Sequence, residues 1–161
     1  MARYKMHHVF NTLISIFTLS LIFITSYAAG SVSVIDPYVR AVAAGHPNSA
    51  AFMVLNNTSG EDRALVKARS NISNVVELHT HKKEGGMMRM RQVEKIVIKA
   101  GSETVLKPGG LHVMFIGLKQ QLIAGNKVDL ELEFDNGEVM KLTAPVKMVA
   151  GMNKMKMKKQ H

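Results

Sequence analysis

The sequence predicts an all-β fold, a sandwich or barrel within one domain. Residues Val128 to Phe134 alternate strictly between apolar and polar, the period of a strand with one buried face. Short β-branched runs recur along the chain, separated by Gly, Asn and Pro breaks. No long segment past the N-terminal leader carries a helical period. Many short strands at this spacing are the pattern of sandwiches and barrels.

Ten strands are expected in order: Val32–Ala41, Ala50–Asn56, Arg63–Ala68, Asn74–His81, Met87–Arg91, Ile96–Lys99, Thr104–Leu106, His112–Gly117, Lys127–Phe134 and Glu138–Thr143. Each is set off by turn chemistry. Asn56-Asn57-Thr58-Ser59-Gly60, Glu84-Gly85-Gly86, Pro108-Gly109-Gly110 and Ala124-Gly125-Asn126 supply residues that tolerate tight or left-handed backbone. Asp135-Asn136-Gly137-Glu138 joins the last two strands as a hairpin.

Residues 1–28 read as a signal peptide. Arg3 and Lys5 precede an apolar run from Leu13 to Ile24, and Ser26-Tyr27-Ala28 offers a small-x-small cleavage site. The run falls short of the roughly 20 residues that span a bilayer. Residues 29–150 form the expected domain, and 151–161 a disordered Met/Lys/His tail too polar and charged to add to a core. Export of a chain without cysteine points to a bacterial periplasm or cell surface, the periplasm being the expected compartment.

The formal charge is +9, yet the body from Ala29 to Val146 carries 14 basic against 12 acidic residues. The excess belongs to the two ends, and no basic stripe with interleaved aromatics runs through the body, so no nucleic-acid partner is expected. The lack of cysteine excludes disulfides, zinc–thiolate and iron–sulfur sites, Cys nucleophiles, blue-copper centres and lipid attachment through an N-terminal Cys. No nucleophile–base pair or carboxylate pair advertises an enzyme. Soft-metal chemistry, with 12 Met and 7 His available, would have to use thioether and imidazole.

Those residue types cluster in the middle of the body. Side chains at i and i+2 of a strand share a face, so His79 and His81 point one way, as do Met88 and Met90, and His112 and Met114; Met87 faces away from Met88 and Met90. A Gly-Gly turn makes a hairpin of the first two segments, and the third follows a second Gly-Gly turn. Two imidazoles and two thioethers suit Cu(I), which is soft and accepts neutral donors. Zinc or calcium would want more anionic ligands than the nearby Glu77 and Glu84. Packing is the competing explanation, since Met fills cores and a strand His is often only hydrogen-bonded. Met53 and Met140 are read as core, His46 as a loop residue, and His81 as a solvated residue on the loop edge, with an auxiliary ligand as the alternative.

Ten residues separate His79 from Met90, twenty-one separate Met90 from His112, and one separates His112 from Met114. This His-x10-Met-x21-His-x-Met spacing resembles that of the PCuAC family of periplasmic copper chaperones. Val76-Glu77-Leu78-His79, Met88-Arg89-Met90-Arg91, Leu106-Lys107-Pro108-Gly109-Gly110, His112-Val113-Met114, Gly117-Leu118 and Ala50-Ala51-Phe52-Met53 resemble its signature words, across about Val32 to Val146. The resemblance implies a cupredoxin-like β-sandwich with one Cu(I) held by His79, Met90, His112 and Met114, and Met88 beside the site. It also implies delivery of copper toward cytochrome c oxidase, with the oxidase copper subunit and a Sco-type thiol protein as partners. A monomer that meets the membrane only through its partner is the matching expectation. Copper storage or tolerance needs the same ligands and stays open, as does a metal-free structural sandwich. Met152, Met155, Met157 and His161 would give the tail a weaker copper-collecting role.

Overall fold

The structure is a computed structural model that describes residues 32–149; the expected leader and tail lie outside the described residues. Ten strands and no helix are found among the described residues. They are β1 (Val32–Arg40), β2 (Asn48–Asn57), β3 (Arg63–Arg69), β4 (Ser73–Glu84), β5 (Met87–Gln92), β6 (Ile96–Ile98), β7 (Ser102–Leu106), β8 (His112–Leu118), β9 (Lys127–Phe134) and β10 (Val139–Lys147). All ten match expected segments. The largest differences are in β4, which runs three residues beyond His81, and in β10, which continues to Lys147.

Hydrogen bonding orders the strands β5-β4-β8-β2-β1-β10-β9-β3-β6, with β7 also on β2. Every pairing is antiparallel except β1 with β10, a short parallel join at Val39–Val146 and Arg40–Lys147. On one side of that join lie β5, β4, β8, β2 and β1, on the other β10, β9, β3 and β6, and their apolar faces close on each other. Leu55, Leu78, Val113 and Phe115 from the first half share one core with Leu65, Ile96, Ile98, Leu130, Leu132 and Phe134 from the second. This is the β-sandwich of the cupredoxin-like class. Burial along β9 alternates as its sequence does, with Val128, Leu130, Leu132 and Phe134 inside.

Two breaks shape the strands. Asp36 takes φ 49° ahead of Pro37, and the β1–β2 register slips between Ile35 and Tyr38. The bulge turns Tyr38 onto Phe52, with ring centres 5.2 Å apart. The β9–β10 turn uses Gly137 alone in the left-handed region, at φ 81°, while Asn136 anchors Glu138 N–H through its side-chain oxygen at 3.0 Å.

Candidate metal centre

Strand alternation gives β4 two faces. Leu78 points into the core opposite Val113 of β8, so Glu77, His79 and His81 project from the other face. On β8, Val113 and Phe115 are fully buried in the core, which leaves His112 and Met114 on the same outward face as those three. The β4–β5 hairpin adds Met88 and Met90 at that face, since Met90 lies opposite His81 and Met88 opposite Lys83. Met87 lies opposite Glu84 and faces the other way, as expected. Gly85 and Gly86, at φ 58° and 83°, make the turn that allows this register.

The ladder decides which residues meet. His79 lies directly opposite His112, and their ring centres are 5.8 Å apart. Met114 lies opposite Glu77. Met90 lies opposite His81 and reaches His79 only on the diagonal. Of the four expected ligands, the two imidazoles are brought together, and the two thioethers flank them on opposite sides. Met90 sits on the open edge strand, 41% exposed, beside Met87 and Met88 at 60% and 58%. His112 is the opposite case: it is only 2% exposed, packed beside Phe52 of β2 and the two β4 imidazoles.

His81 corrects the expectation of a solvated edge residue. It sits inside β4, half-buried, with its ring 5.2 Å from that of His112. The extension of β4 to Glu84 is the physical reason: pairing with β5 holds His81 in the ladder rather than in the turn. Its position two residues after His79 already placed both on one face.

The imidazole protons are assigned by their partners. Nε2–H of His79 donates to Oε2 of Glu77 at 2.7 Å, because a carboxylate only accepts. The Nδ1 of His79 then carries the lone pair, and it is buried without a hydrogen-bond partner. Nδ1–H of His112 donates to the Gly110 carbonyl at 2.9 Å, which leaves Nε2 as its lone-pair nitrogen. The Pro108-Gly109-Gly110 turn presents that carbonyl: Gly109 is left-handed at φ 78°, Gly110 N–H donates to Lys107 O, and Lys107 N–H donates to Leu111 O. A carboxylate or carbonyl fixing one ring nitrogen while the other is free is the outer support that metal-binding histidines use. Glu77 thus orients the His79 ring, and its i−2 position relative to His79 is the sequence signal for it.

Burial holds the His112 imidazole below its ordinary range; the bond to Gly110 opposes this, and the cationic forms of His81 and His79, with Arg40, add to it. A neutral imidazole at neutral pH is the form that binds a metal. Met53 is core, Met140 packs at its edge, and His46 lies in the loop before β2, its Nδ1 accepting from Asn48 N–H at the start of that strand.

Residues 32–146 match the family described as "Putative lipoprotein LpqE-like". A protein of Leifsonia xyli subsp. xyli named "Putative lipoprotein Lxx21020" is 35% identical over 126 residues, 78% of this chain and 75% of that protein. The fold is similar to the Cu(I)-bound solution structure of DR1885 from Deinococcus radiodurans, at a TM-score of 0.64 and 32% identity over 78% of this chain and 85% of that one. It is also similar to the copper-bound PCuAC domain from PmoF2, at a TM-score of 0.64 and 20% identity over 76% and 97%.

Proposed function

The chain belongs to the PCuAC family, matched over residues 32–146 by the LpqE-like family, and from that membership we propose that it is a periplasmic copper chaperone. Its cargo is a single Cu(I) ion held by His79, Met90, His112 and Met114. The observation that carries this reading is the pair of facing imidazoles whose outer nitrogens are committed to Glu77 and Gly110. Their remaining nitrogens, Nδ1 of His79 and Nε2 of His112, are lone-pair donors, with thioethers on either flank.

The donor set determines the chemistry. All four ligands are neutral, so the ion keeps its positive charge and no proton need leave at neutral pH. Imidazole and thioether suit Cu(I), whereas thiolate is a softer, anionic competitor. Met90 stands on the exposed edge strand, where a partner can reach it while His112 stays buried. Transfer then proceeds by ligand exchange in a docked complex, one donor at a time. This is carriage, with no bond of a substrate made or broken. A cytochrome c oxidase copper subunit or a Sco-type thiol protein is the client this chemistry serves, and a cleaved leader over residues 1–28 brings the chain to it.

Anaerobic mixing of the Cu(I)-loaded protein with apo oxidase copper domain tests delivery: the metal should move to the oxidase domain. Retention of all the copper under those conditions would instead place the protein in storage. His112→Ala and Met114→Ala should each weaken Cu(I) binding in a competition titration, and unchanged affinity in both would remove the site assignment.

A further inference from the structure

We propose that His81 is an additional copper donor, and that His79, His81 and His112 together form a triple-imidazole set able to hold Cu(II) as well as Cu(I). The proposal rests on the copper-carrier reading and deepens it. The register puts His81 on the metal-facing side of β4, directly opposite Met90. The spacing of the rings is that of a shared ion. A metal–nitrogen bond of about 2.0 Å and about 1.1 Å from nitrogen to ring centre put two imidazoles on one ion with centres about 4.4–6.2 Å apart, for nitrogen–metal–nitrogen angles from about 90° to 180°. The observed separations from His112 are 5.2 Å for His81 and 5.8 Å for His79.

Among the described residues no three His, Asp or Glu side chains already converge their donor atoms, so the rings must turn to share an ion. His81 is the ring freest to do so. Its Nδ1 lies 3.4 Å from the Gly110 carbonyl, at the long limit of a hydrogen bond, and the same oxygen is already taken by His112 at 2.9 Å. Little is lost when it swings.

The third imidazole changes what the site can accept. Two thioethers and two imidazoles favour Cu(I), while Cu(II) prefers nitrogen and oxygen donors in a tetragonal arrangement. Three imidazoles, with the Glu77 carboxylate held against one of them, supply that environment. His81 and Met90 then sit side by side as alternative donors at the exposed edge, the imidazole serving Cu(II) and the thioether Cu(I).

The test compares the full chain with His81→Gln, adding cupric chloride aerobically and reading Cu(II) affinity and the nitrogen hyperfine pattern by electron paramagnetic resonance. His81→Gln should weaken Cu(II) binding by about tenfold or more and reduce the nitrogen pattern, with Cu(I) affinity changed far less. Equal Cu(II) affinity and spectra in wild type and His81→Gln overturn the proposal. So does a wild-type Cu(II) signal that survives both His81→Gln and His112→Ala, since the ion then sits elsewhere. Melting of the apo variants controls for folding, and His81→Asn repeats the comparison if His81→Gln melts lower. Failure of the carrier reading has a separate signature, an unchanged Cu(I) affinity in His79→Ala and His112→Ala.

Discussion

Replacing Glu77 should weaken Cu(I) binding without removing a single ligand. Glu77 accepts from Nε2–H of His79 at 2.7 Å, and in the alanine variant that proton loses its acceptor. Nothing then selects the tautomer that exposes a lone pair on Nδ1, and the ring is free to rotate out of the site. Removing one partner of a charge-assisted hydrogen bond costs about 1.5–3 kcal/mol. Loss of the outer partner of a metal-bound histidine costs about 10–100-fold in affinity, or roughly 1.4–2.8 kcal/mol. The two ranges agree, but the carboxylate side chain is 26% exposed and the imidazole 13%, so water replaces part of the lost bond. The lower half of the range is therefore expected, about 10–30-fold for Glu77→Ala. Glu77→Gln keeps an accepting oxygen and loses only the charge, so its effect should be smaller. Anaerobic competition against a chromogenic Cu(I) chelator measures both. An affinity within about twofold of wild type for Glu77→Ala, while His79→Ala is clearly weakened, refutes the orienting role.

Further outcomes follow from other parts of the fold. Gly117→Ala should lower stability by about 1–3 kcal/mol in denaturant unfolding: Gly117 has φ 69°, and an added Cβ would lie 2.7 Å from the Asn74 amide nitrogen. The apo protein should lose stability on acidification below about pH 6.5, the ordinary imidazole value. Burial depresses the His112 pKa in the folded state, so the unfolded chain binds the proton more readily, and the stability present above pH 6.5 is lost as pH falls through the folded value. His112→Gln should flatten that part of the pH–stability curve; an unchanged slope would show that His112 is not its source. Arg69→Ala should leave the denaturant unfolding midpoint close to that of wild type, because its pairs with Glu131 and Glu133 lie on the surface.

Much of this was legible in local pattern. Alternation in β9 predicts burial residue by residue, since a strand of period two has no other way to cover one face. The Gly85-Gly86 turn makes β4 and β5 neighbours, because few residues separate them and the left-handed backbone they need is available only cheaply to glycine. The motif spacing identified the four expected ligands, and the shared faces of His79 with His81, and of His112 with Met114, follow from i, i+2 parity alone. At His81 the local signals end. The pattern stopped β4 at His81, whereas pairing with β5 carries it to Glu84 and brings His81 under the influence of His112, thirty-one positions along the chain.

By itself, then, the sequence determined the all-β class, the turn positions, the donor types and the face each donor occupies, all of them consequences of period and residue chemistry within a few positions. Only the tertiary structure decided that β8 lies between β4 and β2, and therefore that His79 faces His112, that Phe52 helps close His112 from solvent, and that His81 shares a ladder position with Met90. Those pairings depend on register. Register is set by burying Leu78 and Val113 together in the core, since a slip of one residue would turn His79 and His112 inward and the core residues out.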